Sequence, residues 1–429
     1  MTIQFSRPLS LWRYASVTTL ARELDRAQDS LKAIPLNKIA YWDRGSRPIL
    51  SSRDQGIVQL AIDARGLKQI YRIKEYPEYR RSSQFLYITG EAQQLSGIEV
   101  HFNLGLGRLS VPDSLSLQLW DSPALPPYCF IQPPQQQSTS HVGRFTTVNL
   151  NECYGLTFFI LGNGICAIHT HTSTSPSAGE TFNTLTPHIR TVVAWFYLPL
   201  ANEKIVSLGL RFQVIANLYL RPCFLLNKKI QLRSGNHVIG PHHTGEVMDI
   251  TVPVQDQAIL AYELPKETYI STIAVSSTIN ARHRNHFLQP STPPFQPGYP
   301  GYFSSATLKG AISITIYHDQ NSSFCRGMVL IYNDNTRRTL GQCRVGEDIA
   351  TMHEAPTGLY YASVQYKLEG VKPLLAAVIV EVATSVCQEP EKDEDQRWTF
   401  SPMSGFANFW FNADESALKI ENDQTETDS

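Results

Sequence analysis

A two-residue alternation of apolar and polar side chains recurs along this chain between about residue 50 and residue 420. It appears in ten segments bounded by Gly, Asn, Asp, Pro or Ser: GIVQLAI, FLYIT, GIEVHFNL, SLSLQLW, LTFFIL, GICAIHTH, TVVAWFYL, RFQVIANLYL, AISITIY and GMVLIYN. This period places successive side chains on opposite faces of a β-strand, and no long helical pattern separates the segments. We therefore expect a mainly β protein with sandwiches or barrels rather than a parallel α/β sheet.

A different period, of three to four residues, marks the N-terminus. Apolar side chains recur along one side at Leu11, Tyr14, Val17, Leu20, Leu24, Ala27 and Leu31. Charged side chains such as Arg22, Glu23 and Asp25 occupy the other side, and Pro35 ends the pattern. The pattern predicts one N-terminal amphipathic helix, whose apolar face must pack on the rest of the chain or on a partner.

Two stretches rich in proline suggest boundaries between domains. Residues 121–140 and 289–301 combine Pro with Gln, Ser or Gly, and such segments do not sustain a central strand. The tail from Glu415 carries acidic residues and few apolar anchors, so we expect it to fray. We predict two β-sandwich or β-prism-like domains in this order: an N-terminal helix and connector at 1–46, a β-rich domain at 47–286, a Pro/Gly-rich linker at 287–300, a second β domain at 301–413 and an acidic flexible tail at 414–429.

The net charge and the distribution of cysteines indicate which binding partners and which cellular compartment to expect. The 429 residues include 37 basic and 38 acidic side chains, a formal net charge of -1, so no long-range field would attract nucleic acid. The sequence lacks both a leading signal pattern and a run of eighteen apolar residues, so we expect neither secretion nor a membrane partner. Seven dispersed cysteines without a CxxC pair indicate free thiols in a reducing compartment, the cytoplasm or the nucleus.

The densest cluster of reactive side chains lies in FCRGMVLIYNDNTRRTLGQCR, residues 324–344. The Asn-Asp-Asn triplet at 333–335 is typical of a hairpin turn, because Asn and Asp tolerate left-handed backbone. A three-residue loop would pair Ile331 with Arg337 and bring Cys325 opposite Cys343. We interpret the cysteines as a structural pair; a redox switch and a zinc site are the weaker alternatives.

His169 and His171 are the best metal candidates. Residues two apart on a strand share a face, so both imidazoles could reach one ion. The next acid is Glu180, too distant for the His-x-His-plus-Glu spacing of cupin-type sites. A half-exposed strand with alternating His and Thr is the competing interpretation. His188, His242 or His243 could complete a site only if the fold brought one of them close.

Nothing else in the sequence indicates catalysis. The chain has no G-x-S-x-G nucleophile motif, phosphate-binding loop or paired acids, so the sequence favours a non-catalytic role without a cofactor and does not decide against an enzyme. Aromatic and amide-bearing side chains in loops suit sugar recognition, although aromatic residues more often fill a core. The candidate ligand-binding residues are Trp120, Tyr299, Tyr302, Asn333, Asp334, Asn335 and Trp398.

A further pattern resembles a set of β-rich proteins of filamentous fungi. It consists of Cys-Arg-Gly, an apolar strand, a polar turn and Gly-Gln-Cys-Arg, followed by Trp, Met-x-Gly and Trp-Phe. Here it matches Cys325, Arg326, Gly327, Tyr332, Gly341, Gln342, Cys343, Arg344, Trp398, Met403, Gly405, Trp410 and Phe411. Some proteins of that set resemble F-box proteins, a motif that we do not see in this sequence. The resemblance implies an architecture and a fungal origin, but no activity.

These observations favour a non-catalytic interaction protein that contacts a protein partner through its helix or its sheet edges. A carbohydrate-binding, jacalin-like module is the alternative, and a metal-dependent β-barrel enzyme is the third hypothesis. An exposed aromatic rim would favour sugar, and an exposed apolar surface would favour a protein partner. Three converging histidines would favour the metal enzyme.

Overall fold

The structure is a computed structural model of the 429-residue chain. It describes residues 32–51, 56–103, 105–112, 115, 117–124, 128–131, 142–162, 164–200, 205–213, 225–232, 235–240, 247–254, 259–265, 268–270, 272–276, 301–320, 322–367, 374–385 and 397–421. Of the described residues, 59% are in strands and 4% in helices, which confirms the prediction of a mainly β protein. The predicted helix at Leu11–Leu31 and the predicted linker at 287–300 lie outside the described residues.

The described residues contain thirty strands, numbered in chain order: β1 Lys32–Pro35, β2 Ile39–Asp43, β3 Ile49–Leu50, β4 Ile57–Asp63, β5 Gly66–Ile73, β6 Leu86–Glu91, β7 Glu99–Asn103, β8 Leu106–Ser110, β9 Leu117–Trp120, β10 Tyr128–Ile131, β11 Val142–Asn149, β12 Gly155–Leu161, β13 Gly164–His171, β14 Ala194–Pro199, β15 Ile205–Gln213, β16 Leu225–Leu232, β17 Gly235–Ile239, β18 Val247–Pro253, β19 Ile259–Glu263, β20 Ile273–Ser276, β21 Tyr302–Thr307, β22 Ala311–His318, β23 Cys325–Tyr332, β24 Arg337–Gly341, β25 Ile349–Glu354, β26 Gly358–Tyr366, β27 Leu375–Ala383, β28 Thr399–Pro402, β29 Phe406–Phe411 and β30 Ser416–Glu421. Helices are short: a 3₁₀ turn at Leu36–Lys38, α1 at Gly179–Phe182 and α2 at Pro187–Arg190. In this described part, no helix is long and apolar enough to cross a bilayer.

The strands form two compact units. The first comprises Met1–Tyr128, Gln137–Thr147 and Ala261–Lys266, and the second comprises Cys129–Gln136, Val148–Leu260 and Glu267–Ser429.

Two sheets contribute most of the buried cluster in the first unit. Strands β1, β7 and β8 form one sheet, in the order β1-β7-β8, and the other includes β11-β9-β6-β4-β5-β2-β3. Pairing is antiparallel except between β11 and β9, which run parallel. Trp42 of β2 is fully buried, and its ring packs 5.2 Å from the ring of Phe102 in β7. Burying a side chain of this size supplies a large share of the apolar stabilisation.

Five antiparallel sheets belong to the second unit: β13-β12-β14, β17-β16-β15-β18, β21-β29-β30, β24-β23-β22-β25 and β27-β26-β28. Successive side chains of β29 point to opposite faces, so Phe409 and Phe411 share one face of the strand. Both are fully buried and belong to the core of the second unit. Strand β30 lies inside the segment expected to be a flexible tail, so that expectation does not hold for Ser416–Glu421. The reason is pairing with β29, where Leu418 lies opposite Phe409.

Candidate functional site

The β23–β24 hairpin has the predicted three-residue loop. Tyr332 N–H donates to Thr336 O at 3.0 Å, and Asn335 takes a left-handed φ of 61°. The strands pair Ile331 with Arg337 and Gly327 with Gly341, which confirms the predicted register. Gln342 N–H donates to Arg326 O at 2.7 Å, so the register continues one residue beyond β24.

Cys325 and Cys343 are both free thiols and fully buried. Cys343 Sγ lies 3.4 Å from Met328 O and Cys325 Sγ lies 3.6 Å from Gly327 O, so both thiols face backbone carbonyls. Burial raises the pKa of both thiols, that of Cys343 further through the neighbouring Cys325. A protonated, buried thiol is a poor nucleophile and a poor metal ligand, which fits a packing role.

Gln342 connects parts of the second unit that are far apart in sequence. Its Oε1 accepts a hydrogen bond from Trp195 N–H in β14 at 3.1 Å, and its Nε2 donates to Asn412 O at 2.7 Å. The preceding Gly341 has φ of 70°, and a Cβ there would approach Arg326 O to 2.5 Å. Only glycine suits that backbone and that space.

The neighbouring arginines form ion pairs within the same unit. Arg326 Nε donates to Asp319 Oδ2 at 3.0 Å, and Arg326 Nη1 donates to Ala413 O. Arg344 Nε donates to Asp348 Oδ2 at 3.1 Å, and its guanidinium carbon lies 5.9 Å from the centroid of the Trp195 ring. The pattern at 325–344 that suggested reactivity therefore consists of structural contacts.

His169 and His171 lie side by side on one face of β13, with ring centroids 4.7 Å apart. His169 Nε2 lies 3.3 Å from Ser175 O, and His171 Nδ1 lies 2.9 Å from Pro176 O. Because a carbonyl oxygen only accepts, these two nitrogens carry the protons. The remaining nitrogens accept hydroxyl protons, His169 Nδ1 from Thr181 and His171 Nε2 from Thr157.

This bonding leaves no imidazole lone pair available for a metal. Burial lowers the pKa of both rings, and that of His171 falls to about 4. Glu180 is oriented toward Ser175, whose hydroxyl donates to it at 2.6 Å. His188 is exposed in α2, and His242 and His243 lie outside the described residues. No group of three metal-ligating side chains occurs in the described part of the chain.

Among the candidate aromatic residues that the structure describes, Trp120 and Tyr302 do not contribute to an exposed rim. Trp120 is buried and stacks on Phe145 at 4.6 Å, and Tyr302 is buried with its hydroxyl donating to Gly162 O at 3.2 Å. Buried rings cannot present their faces to a ligand, so these two residues belong to the core. Tyr299 lies outside the described residues, and Trp398 is half-buried ahead of β28.

Asn333 and Asp334, in contrast, line an open groove of about 580 Å³. The groove also includes Arg338 of β24 and Phe406 of β29. Phe406 was not predicted, because the sequence SGFANFWF indicates only an apolar strand. Phe406 is the first residue of β29 and is 50% exposed, whereas Trp410, on the same face of the strand, is buried.

Strand β25 forms an edge of the sheet β24-β23-β22-β25. Ile349 is 58% exposed and Met352 55% exposed, so apolar side chains reach solvent from both faces of the strand. Ala355 N–H donates inward to Ile312 O at 2.9 Å, just after β25. Alternation then directs the N–H groups of Ala350, Met352 and Glu354 outward, away from β22.

No protein-family model matches this chain, and no curated protein matches it.

Proposed function

We propose that this protein is a non-catalytic binding protein that accepts an extended segment of a protein partner along β25. The single observation that supports this proposal is the combination of outward N–H groups with exposed Ile349 and Met352 on one edge strand. An added strand would gain main-chain hydrogen bonds and cover both apolar side chains. Natural sheets usually protect such an edge with lysine, proline or a bulge.

The exposed side chains of β25 favour contact with a protein partner over contact with water. Four consecutive residues, Ile349 to Met352, are exposed and uncharged, and the nearest charges within the strand and its flank are Asp348 and Glu354. A flat uncharged edge favours strand addition, whereas a charged edge opposes it. The segment predicted to form an N-terminal helix, the other surface predicted to bind a partner, lies outside the described residues.

Two variants remove the docking properties by different means. Met352→Pro deletes an outward N–H without removing a hydrogen bond to β22, and Ile349→Lys places a charge on the edge. Ile49→Lys is the matched control, since Ile49 is also 58% exposed but belongs to β3 of the first unit. Proteins retained by the tagged full chain from a lysate of the source cells are quantified by mass spectrometry.

We expect a partner that both wild type and Ile49→Lys retain and that Met352→Pro and Ile349→Lys lose. Circular dichroism checks that each variant keeps its strand content. Equal retention by all four proteins, or no specific retention by wild type, contradicts the proposal. The purified partner should then bind wild type and Ile49→Lys more tightly than it binds Met352→Pro and Ile349→Lys.

We also propose that the sheets of the first unit form a β-sandwich. Ile34 and Val100 from the β1-β7-β8 sheet share one buried cluster with Leu60 and Ile70 of the larger sheet. Two sheets with a common apolar layer between their faces are typical of a sandwich. An experimental structure of the chain would test this arrangement.

A further inference from the structure

A groove beside the β23–β24 turn combines an exposed aromatic ring with polar groups of both charges. Its volume is about 580 Å³, within the range of about 300–1,000 Å³ that is typical of small-ligand sites. Six lining residues could contact a ligand: Ser305, Tyr332, Asn333, Asp334, Arg338 and Phe406. All of them belong to the second unit. Arg338 lies in β24, at the opposite edge of its sheet from β25, and Ser305 and Phe406 belong to the separate sheet β21-β29-β30.

Phe406 supplies a flat apolar surface in this groove. It is 50% exposed, whereas Phe409 and Phe411 of the same strand are fully buried. Phe406 pairs across β29 and β21 with Thr307, which also lines the groove. An exposed phenyl ring within a polar wall suits a ligand that has an apolar face and a polar rim.

Asp334 supplies a fixed acceptor at the turn. Its Oδ1 accepts hydrogen bonds from Thr336 N–H at 3.0 Å and from Thr336 Oγ1 at 2.7 Å. These bonds orient the carboxylate and lower its pKa, so the group is ionised at neutral pH. Oδ2 makes no hydrogen bond within the described part of the chain, and the side chain is exposed.

The remaining polar groups complement this acceptor. Asn333 offers an amide with two donors and one acceptor, and Arg338 adds a positive charge to the lining. The opposite charges of Asp334 and Arg338 disfavour a strongly anionic ligand, and the polar wall disfavours an alkyl chain. A ring with an apolar face and a rim of hydroxyl groups satisfies all of these groups together.

We propose that this groove binds a neutral saccharide, which stacks on Phe406 and bonds its hydroxyls to Asp334 and Asn333. The site is independent of the protein-binding function proposed for β25. Failure of one proposal therefore leaves the other intact, because their variants affect different strands.

The test uses the fluorescently labelled full chain on an array of neutral and acidic oligosaccharides. Phe406→Ala removes the stacking surface, and Asp334→Asn removes the charge while keeping an oxygen for Thr336. Phe400→Ala is the matched control, because Phe400 is 51% exposed but lies in β28, outside the groove. Titration with the best array glycan free in solution then measures affinity without the immobilised support.

We expect binding to neutral glycans that weakens about tenfold or more in Phe406→Ala and in Asp334→Asn, and that Phe400→Ala preserves. Thermal unfolding of each variant confirms that it is folded; if Phe406→Ala does not fold, Asp334→Asn at the exposed turn carries the test. Absence of binding to every neutral glycan overturns the proposal. Equal binding by wild type and folded Phe406→Ala, or loss in Phe400→Ala as well, also overturns it.

Discussion

Gln342 accepts a hydrogen bond from the backbone N–H of Trp195, 147 residues earlier in the chain, at 3.1 Å. The same side chain donates to Asn412 O at 2.7 Å. One buried amide therefore holds three parts of the second unit together, beside β24, in β14 and after β29. These contacts give the glutamine of the Gly-Gln-Cys-Arg motif a structural role.

Gln342→Ala should lower the free energy of unfolding by about 2–4 kcal/mol. The substitution leaves Trp195 N–H and Asn412 O without this partner, and each buried unpaired group costs about 1–3 kcal/mol. Gln365→Ala, at an exposed position in β26, is the control and should change stability by less than about 0.5 kcal/mol. Urea denaturation measures both; equal effects of the two substitutions would refute the role of Gln342.

Gly341→Ala should destabilise the protein more than Gly310→Ala. Both glycines have positive φ, 70° and 82°, so both substitutions strain the backbone by about 1 kcal/mol. A Cβ at Gly341 would also approach Arg326 O to 2.5 Å, whereas nothing lies within 4 Å of a Cβ at Gly310. The difference in unfolding free energy between the variants reports the steric contact; no difference would mean that the hairpin adjusts freely.

Acidification should weaken the fold through His171. Its pKa falls from 6.5 to about 4 in the folded chain, because burial disfavours the charged ring. The unfolded state binds the proton first, so this stability is fully present above pH 6.5 and is lost as the pH falls toward 4. The total loss is on the order of 3 kcal/mol, since each pKa unit corresponds to about 1.4 kcal/mol.

The contribution of His171 is isolated by comparison with His171→Gln and with His188→Gln, which changes an exposed histidine of α2. Unfolding free energies are measured by urea denaturation between pH 4.5 and pH 7.5. The slope of the unfolding free energy against pH should be smaller in His171→Gln than in wild type. In His188→Gln it should equal that of wild type. Identical slopes in the three proteins would show that His171 titrates normally.

Cys325 and Cys343 should not react with a thiol reagent in the folded protein. Both are fully buried, and their raised pKa keeps them protonated at neutral pH. Timed labelling followed by peptide mass spectrometry should show modification of these two residues only as fast as the protein unfolds. Rapid labelling under native conditions would support the redox alternative.

Local patterns were predictable from the sequence, and contacts between sheets were not. The turn chemistry of Asn333–Asn335 was enough to predict the pairing of Ile331 with Arg337, and a two-residue spacing was enough to place His169 beside His171. The hydrogen bond between Gln342 and Trp195 depends on how sheets pack, for which residues far apart in sequence carry no local signal. Trp120 and Phe406 show the same limit, because identical aromatic chemistry serves the core in one case and lines a groove in the other.

The most direct test of binding at β25 is backbone amide hydrogen exchange, resolved by residue, with and without the purified partner. In the free protein, Ala350, Met352 and Glu354 should exchange quickly, while Thr351 and His353, which bond to β22, are protected. On binding, the three outward amides should slow by about tenfold or more. Unchanged exchange at these three amides in the saturated complex would contradict strand addition at β25.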